Sequence, residues 1–476
     1  MNKPTKLAIG IFAVLSSQTI WADNLLEVYN LAKDNDPTFL ASDAGRMATN
    51  ERVNQSMSSL LPQINARAYY SDSTGESTRS SAGTFTPDNP PGPAQDIGSL
   101  PSTSESDTTS DGFSISIEQE IYSHSSWLNL RQAEKRALQS NVNHEGQKHS
   151  LIIRVAETYF NVLGAMDNVE FAKAELEAVS KELAQTKQRF EVGLIAMTDV
   201  HEAQSRHDRA VANEISAQNG LDNAHEALQQ ITGQYHYEVM QLKEEIPLRN
   251  PEPTNIKSWV KEAETNNVSI KASRIGLDIA KKSIDISSAG HYPTISLSAS
   301  YSDDSRETTT PNSRYTDTLT GISGIVSDNV SNFNGTDSSI SINLNIPIYS
   351  GGNTNSRVKE AQNLYQQAAH TLEADRRLAV SQTRSSYLGV VAAVSSVNAL
   401  NQAVISSQSA LEATQAGFEV GTRTIVDVLL QTQQLFSAKR DHARARYDYI
   451  LNTLRLKEAA GILTEKDLQQ VNGMLR

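Results

Sequence analysis

Two hydrophobic periods alternate along the chain. In two stretches the apolar residues recur at every seventh position: Val162, Val169, Leu176, Leu183 and Phe190, then Val390, Val397, Val404, Leu411 and Phe418. A period of seven predicts long α-helices packed side by side as coiled coils. Residues 125–190 contain no proline and have glycine only at 146 and 164. As one helix they would run about 95–100 Å, with residues 353–417 as their counterpart. Ala203, Ala210, Ala217 and Ala224, followed by Ile231, predict a returning helix with a seam of small residues, and Gly233 and Gly461 are placed as C-terminal caps. Elsewhere the period is two. Phe113, Ile115, Ile117 and Ile121 alternate with Ser114, Ser116, Glu118 and Glu120, and Ile340, Ile342, Leu344, Ile346 and Ile348 alternate with Ser341, Asn343 and Asn345. Weaker alternation runs through Ile64, Ala66, Ala68 and Tyr70, and through Ile295, Leu297, Ala299 and Tyr301. Such strands have the length and two-faced character of tilted transmembrane strands, and equally of strands half-buried in a soluble sheet. The polar stretches 71–111 and 302–338, rich in Ser, Thr, Asp, Asn and Gly, are expected to be long loops.

The two periods occur in the same order twice. Phe190-Glu191-Val192-Gly193 returns as Phe418-Glu419-Val420-Gly421, and Thr198-Asp199-Val200 as Val426-Asp427-Val428; each matched pair is 228 residues apart, as 418 is from 190 and 427 from 199. Ile121-Tyr122-Ser123 returns as Ile348-Tyr349-Ser350 and Pro62 as Pro293. The chain is therefore two copies of one structural unit. The expected division is a leader over 1–22, a first repeat over 23–233 and a second over 266–461. The first holds a helix, a strand pair at 64–122, a long helix, a tip at 190–199 and a return helix. The second holds the same parts, with its strand pair at 294–349 and its tip at 418–427. Segments 234–265, broken by Pro247, Pro251 and Pro253, and 462–476 form a small mixed region beside the helices.

Composition narrows the setting. Lys3 and Lys6, the apolar stretch Leu7–Leu15 and Ala22 have the form of a secretory signal; its removal takes the formal charge from −13 to −15. An acidic, exported chain argues against nucleic acid as a partner. With no cysteine there is no disulfide, no cysteine-ligated metal and no lipidated N-terminal cysteine. No later run of 18 uninterrupted apolar residues exists, so any membrane crossing would be by β-strands. Four strands cannot close a barrel, and an open edge in lipid leaves backbone groups unpaired; two copies would give eight strands and three would give twelve. No catalytic constellation emerges. His201 and His207, six apart, do not share a helix face, and there is no phosphate-binding loop or dinucleotide fingerprint, so no enzyme activity, cofactor or metal is expected.

Several motifs together resemble the TolC family of outer-membrane efflux proteins. They are Leu60-Leu61-Pro62-Gln63, Ala156-Glu157-Thr158-Tyr159-Phe160-Asn161-Val162-Leu163, and the first tip Arg189-Phe190-Glu191-Val192-Gly193-Leu194-Ile195-Ala196-Met197-Thr198-Asp199-Val200. In the second half they are Leu344-Asn345-Ile346-Pro347-Ile348-Tyr349-Ser350-Gly351-Gly352 and Val420-Gly421-Thr422-Arg423-Thr424-Ile425-Val426-Asp427-Val428-Leu429. The resemblance implies a mixed, mainly α fold: coiled-coil α-barrel helices plus four transmembrane strands per chain. As a homotrimer these close a 12-stranded β-barrel in outer-membrane lipid and a 12-helix tunnel in the periplasm. It implies an exit duct for tripartite efflux or type I secretion, opened at its periplasmic tip by an inner-membrane transporter and a periplasmic adaptor. By the same resemblance, Thr198, Asp199, Arg423 and Phe418 form a gate latch and Asp427 an acidic entrance ring. Val192, Gly193, Leu194, Val420, Gly421 and Thr422 form the tips that meet the adaptor. Phe418 stands where a tyrosine is common, and Leu430 where a second acid is often found. The alternative is a trimeric, membrane-anchored coiled-coil protein of structural or adhesive function. Such anchors gather their strands in one terminal block, whereas here they fall in two separated pairs.

Overall fold

The computed structural model describes residues 22–85, 95–311, 313–316, 323–326 and 329–476. The leader expected over 1–22 therefore lies outside the described residues except for Ala22. Along the chain the elements are α1 (Leu25–Asn35), α2 (Pro37–Ser58), β1 (Gln63–Phe85), β2 (Gln95–Ser123), α3 (His124–Glu191), α4 (Met197–Thr232), α5 (Ile256–Asn266) and α6 (Val268–Ser288). A 3-10 turn at Ala289–His291 follows, then β3 (Thr294–Thr310), β4 (Ser313–Thr316), β5 (Ser323–Val326), β6 (Asn329–Asn345), α7 (Asn353–Glu419), α8 (Ile425–Ala460) and α9 (Glu465–Asn472). The repeat is visible in the helix bounds. α4 and α8 both have 36 residues and α3 and α7 have 68 and 67. The chain divides into two compact units, one of residues 1–50, 136–278 and 366–476, the other of 51–135 and 279–365.

In the second of these units β1, β2, β3 and β6 form one antiparallel sheet in that order. The register puts the apolar sets on a common face: Ile64 opposes Ile117, which opposes Ala299, which opposes Ile340; Ala66, Ile115 and Tyr301 form the next row. The other face carries Gln63, Glu118, Ser298 and Ser341 in one row and Asn65, Ser116, Ser300 and Ser339 in the next. Hydroxyl pairs Ser298–Ser341 at 2.7 Å and Ser300–Ser339 at 2.9 Å satisfy one another across that polar face. Because strand side chains alternate, a one-residue slip would reverse every face, so agreement across four strands fixes the register. Within the chain β1 and β6 each have one partner and one free edge.

Two expectations are corrected here. The described parts of the stretch 71–111, residues 71–85 and 95–111, are strand: β1 and β2 pair through them, from Gln63–Glu118 as far as Phe85–Gln95. Of 302–338, the described part likewise extends β3 and β6, with a small β4–β5 hairpin between. Polar composition rules out a core, but a ladder of backbone hydrogen bonds needs only a partner strand, and Ser/Thr-rich sequence supplies one. Conversely the strand expected to reach 349 ends at Asn345. Pro347 has no N–H to donate, and Ile348 and Tyr349 lie exposed beyond it.

The first unit is helical. Its main core gathers Leu25, Val28 and Tyr29 of α1, Tyr159, Phe160 and Leu163 of α3, Leu228 of α4, and Ile450, Leu454 and Leu456 of α8. The proline-broken joining segment contributes Val239, Leu242 and Trp259, and the C-terminal segment Leu468, Val471 and Leu475. Single β-bridges at Asp23–Val239 and Leu242–Leu475 stitch them in. Buried Asp36 accepts both Arg154 Nη1 and Nη2 at 3.1 Å and caps the Phe39 amide at 2.7 Å. The alanine seam of α4 is buried at Ala203, Ala210 and Ala217. Among the described helices α7 alone has a window long and apolar enough to cross a membrane. Ser395, Ser396, Asn398 and Asn401 interrupt it, and Val390, Ala393 and Val397 join the core that holds Leu451 and Leu454. It is a coiled-coil flank.

Candidate functional site

The tips of the two hairpins, α3–α4 and α7–α8, lie in the first unit and share a small core. Val179 and Leu183 of α3, Ala203 of α4, Leu411 and Phe418 of α7, and Ile425, Val428 and Leu429 of α8 are buried together. The connections between helices are tight. Gly193 and Gly421 take positive φ, and the Leu194 and Thr422 amides return to the carbonyls of Arg189 and Gly417 at 2.9 and 2.8 Å. Around these turns apolar side chains face water: Val192, Leu194 and Val420 are 71, 73 and 76% exposed. Exposed Val and Leu at a loop apex add nothing to the core.

The charged residues divide by role. Asp199 accepts the Ala196 amide at 3.3 Å, closing the first turn of α4. Asp427 does the same for α8 and in addition accepts the Thr424 hydroxyl at 2.9 Å. Hydrogen bonds from the Thr424 backbone and hydroxyl, aided by Arg423, hold the Asp427 carboxyl below its ordinary value. Both aspartates thus oppose a helix dipole in the way sequence alone suggests. Thr198 is exposed in the first turn of α4. The stem of Arg423 lies against Gly417, where an added Cβ would come within 2.7 Å of its Cγ. Among the described residues no ion pair within one chain joins Arg423 to Asp199.

One contact between the hairpins escaped the sequence. The Arg189 guanidinium carbon stands 4.2 Å from the centre of the Phe418 ring, and Nη1 donates to the Phe418 carbonyl at 3.3 Å. The repeat equates Phe190 with Phe418, but Phe418 is 7% exposed and Phe190 39%. The available signal was the arginine one position before the repeated phenylalanine, at the level where the helices end together. Nearer the middle of the hairpins, Arg206 Nη1 donates to Gln433 at 3.0 Å and joins α4 to α8. On the same flank of the bundle Glu175 receives Arg440 at 3.1 Å, and Asp167 receives the Tyr447 hydroxyl at 2.6 Å.

Residues 28–234 and 259–462 match the family described as outer membrane efflux protein. The chain is 40% identical over 479 residues to the outer membrane protein TolC of Vibrio cholerae, covering 100% of this chain and 99% of that protein. It is 38% identical to TolC of Escherichia coli, covering 100% and 90%. The alkaline protease secretion protein AprF of Pseudomonas aeruginosa is 27% identical, with 97% and 89% covered. Among solved structures, the Campylobacter jejuni CmeC outer membrane channel superposes with a TM-score of 0.69 at 17% identity, covering 95% of this chain and 90% of that one. The outer membrane protein VceC of Vibrio cholerae gives 0.67 at 16% identity, with 92% and 96% covered. These two show the fold; the sequence relatives align over nearly the full length of the chain.

Proposed function

The chain belongs to the outer membrane efflux protein family, and from that premise we infer that it is an outer-membrane exit duct serving efflux and type I secretion. The observation that carries this is the four-stranded sheet: one continuous apolar face, one polar face and two free edges. Such a sheet is satisfied in lipid only when further copies close it, with the polar face turned to a watery lumen. Three copies give twelve strands, and the same three pairs of hairpins give twelve helices for a periplasmic tunnel.

At the tips, Val192, Gly193, Leu194, Val420, Gly421 and Thr422 are the surface we assign to a periplasmic adaptor, itself coupled to an inner-membrane transporter. Their exposure and apolar character support that assignment. Within one chain Arg423 is free of Asp199, so the latch of Arg423 with Asp199 and Thr198 is assigned across neighbouring chains. Phe418 lies buried behind it. A partly exposed pair of this kind contributes about 0.5–1 kcal/mol, and three copies bias a closed state by a few kcal/mol. Asp427, in the first turn of α8, becomes an acidic ring by symmetry. The test is conductance of the purified mature protein in a planar bilayer. Discrete, long-lived channels are expected. A folded protein that inserts without conducting would leave a membrane-anchored coiled coil instead.

A further inference from the structure

We propose that Arg189 holds the two hairpins of each chain together at the tip, and that its seat is the ring and carbonyl of Phe418. This rests on the exit-duct function and adds to it a residue that sets the closed state from inside a single chain. Three observations converge. The guanidinium sits 4.2 Å from the ring centre, within the range of a cation–π contact. The same group donates at 3.3 Å to the Phe418 carbonyl, which also accepts the Gly421 amide at 3.1 Å, in the last turn of α7, where the helix dipole attracts cations. And Phe418 is buried in the small core that both hairpins share, with Leu183 of α3, Leu411 of α7 and Ile425 of α8, so the ring is fixed where Arg189 meets it.

Glu182 lies close to this contact: burial pushes its carboxyl upward, a hydrogen bond from Gln415 and the charge of Arg189 oppose the shift, and the charge of Glu419 adds to it. A tyrosine at position 418 would offer a hydroxyl to a neighbour; phenylalanine offers only its face and its backbone. In this chain the tie between hairpins therefore depends on a planar cation stacked on a ring, which lysine reproduces poorly. Opening must break this contact once per chain.

The experiment reads single-channel conductance for wild type, Arg189→Ala, Arg189→Lys, Phe418→Leu and the double variant Arg189→Ala/Phe418→Leu. A wild type that does not conduct removes the exit-duct function itself, separately from this proposal. With a conducting wild type, Arg189→Ala and Phe418→Leu are each expected to raise conductance at least twofold. The double variant should exceed neither single by much, and Arg189→Lys should fall between. Unchanged conductance in Arg189→Ala, or effects that simply multiply in the double variant, would overturn it. A second measurement leaves residue 189 native. The chain has no cysteine, so the pair Glu182→Cys/Gln415→Cys reports the hairpin contact alone. Oxidation should crosslink the pair within each chain and abolish opening by the adaptor, and adding Arg189→Ala should slow crosslinking several-fold. No crosslink with Arg189 present, or an equal rate without it, refutes the clamp.

Discussion

Two carboxylates illustrate how position decides what a side chain does. Asp427 is half-buried and receives the Thr424 amide and hydroxyl, which hold its carboxyl below the ordinary value. Replacing it with asparagine keeps the helix cap in part and removes the charge. Asp427→Asn is expected to abolish most cation selectivity, measured as reversal potential in a salt gradient, with little change in melting temperature. Selectivity is expected to be moderate even in the native protein, because Leu430 occupies the position one turn on. Asp167 is the opposite case. Burial pushes its carboxyl up, while the Tyr447 hydroxyl donates to it at 2.6 Å. A folded pKa above the unfolded one favours the fold at acid pH, and that advantage is lost as pH rises through the folded value. Asp167→Asn retains an acceptor for Tyr447 and has no charge to bury. It should raise the melting temperature by about 2 °C near neutral pH and by less near about pH 5. Three histidines, buried His149 and half-buried His144 and His442, act with the other sign. Burial lowers His144, His149 and His442, so their contribution is present above their ordinary value and lost on acidification.

The repeat makes α4 and α8 look alike, and both end on glycine in the left-handed region, Gly233 at φ 75° and Gly461 at φ 73°. What surrounds the two caps differs. A Cβ on Gly233 would meet the Asn35 side chain at 3.6 Å, an ordinary contact, whereas on Gly461 it would lie 2.4 Å from the Asn266 backbone. Gly233→Ala should therefore cost only the backbone term of about 1–2 kcal/mol. Gly461→Ala should cost well beyond that, read by denaturant unfolding of the mature protein; equal losses would mean that α8 and α5 separate easily. This is where legibility in the sequence ends. Helix lengths, tips, caps and the two-faced strands could be read because they are periodic and local. The seven-residue series names the buried Val162, Val390 and Leu411 directly. The length of β1 and β2 could not be read, since Ser- and Thr-rich segments announce a strand only through the partner they find. Nor could the Arg189–Phe418 contact, which joins residues 229 apart that no short-range pattern relates.

At the scale of the whole molecule, the free edges of β1 and β6 govern assembly. With four antiparallel strands per chain, β6 of one copy would run antiparallel to β1 of the next, so strand direction is correct for any number of copies, and the trimer we propose would close twelve. The detergent-solubilised mature protein is expected to have the mass of a trimer; a stable folded monomer would contradict the barrel. The closure is head-to-tail, and every ring is filled from one pool of chains. That has a genetic consequence. If two alleles are expressed equally and mix freely in a trimer, about one ring in eight is wholly wild type. A chain whose latch is weakened, as in Arg423→Ser, would then leave a loosened gate in the great majority of rings. Such an allele should be dominant for leak of large polar solutes, whereas an allele that merely fails to insert should be recessive.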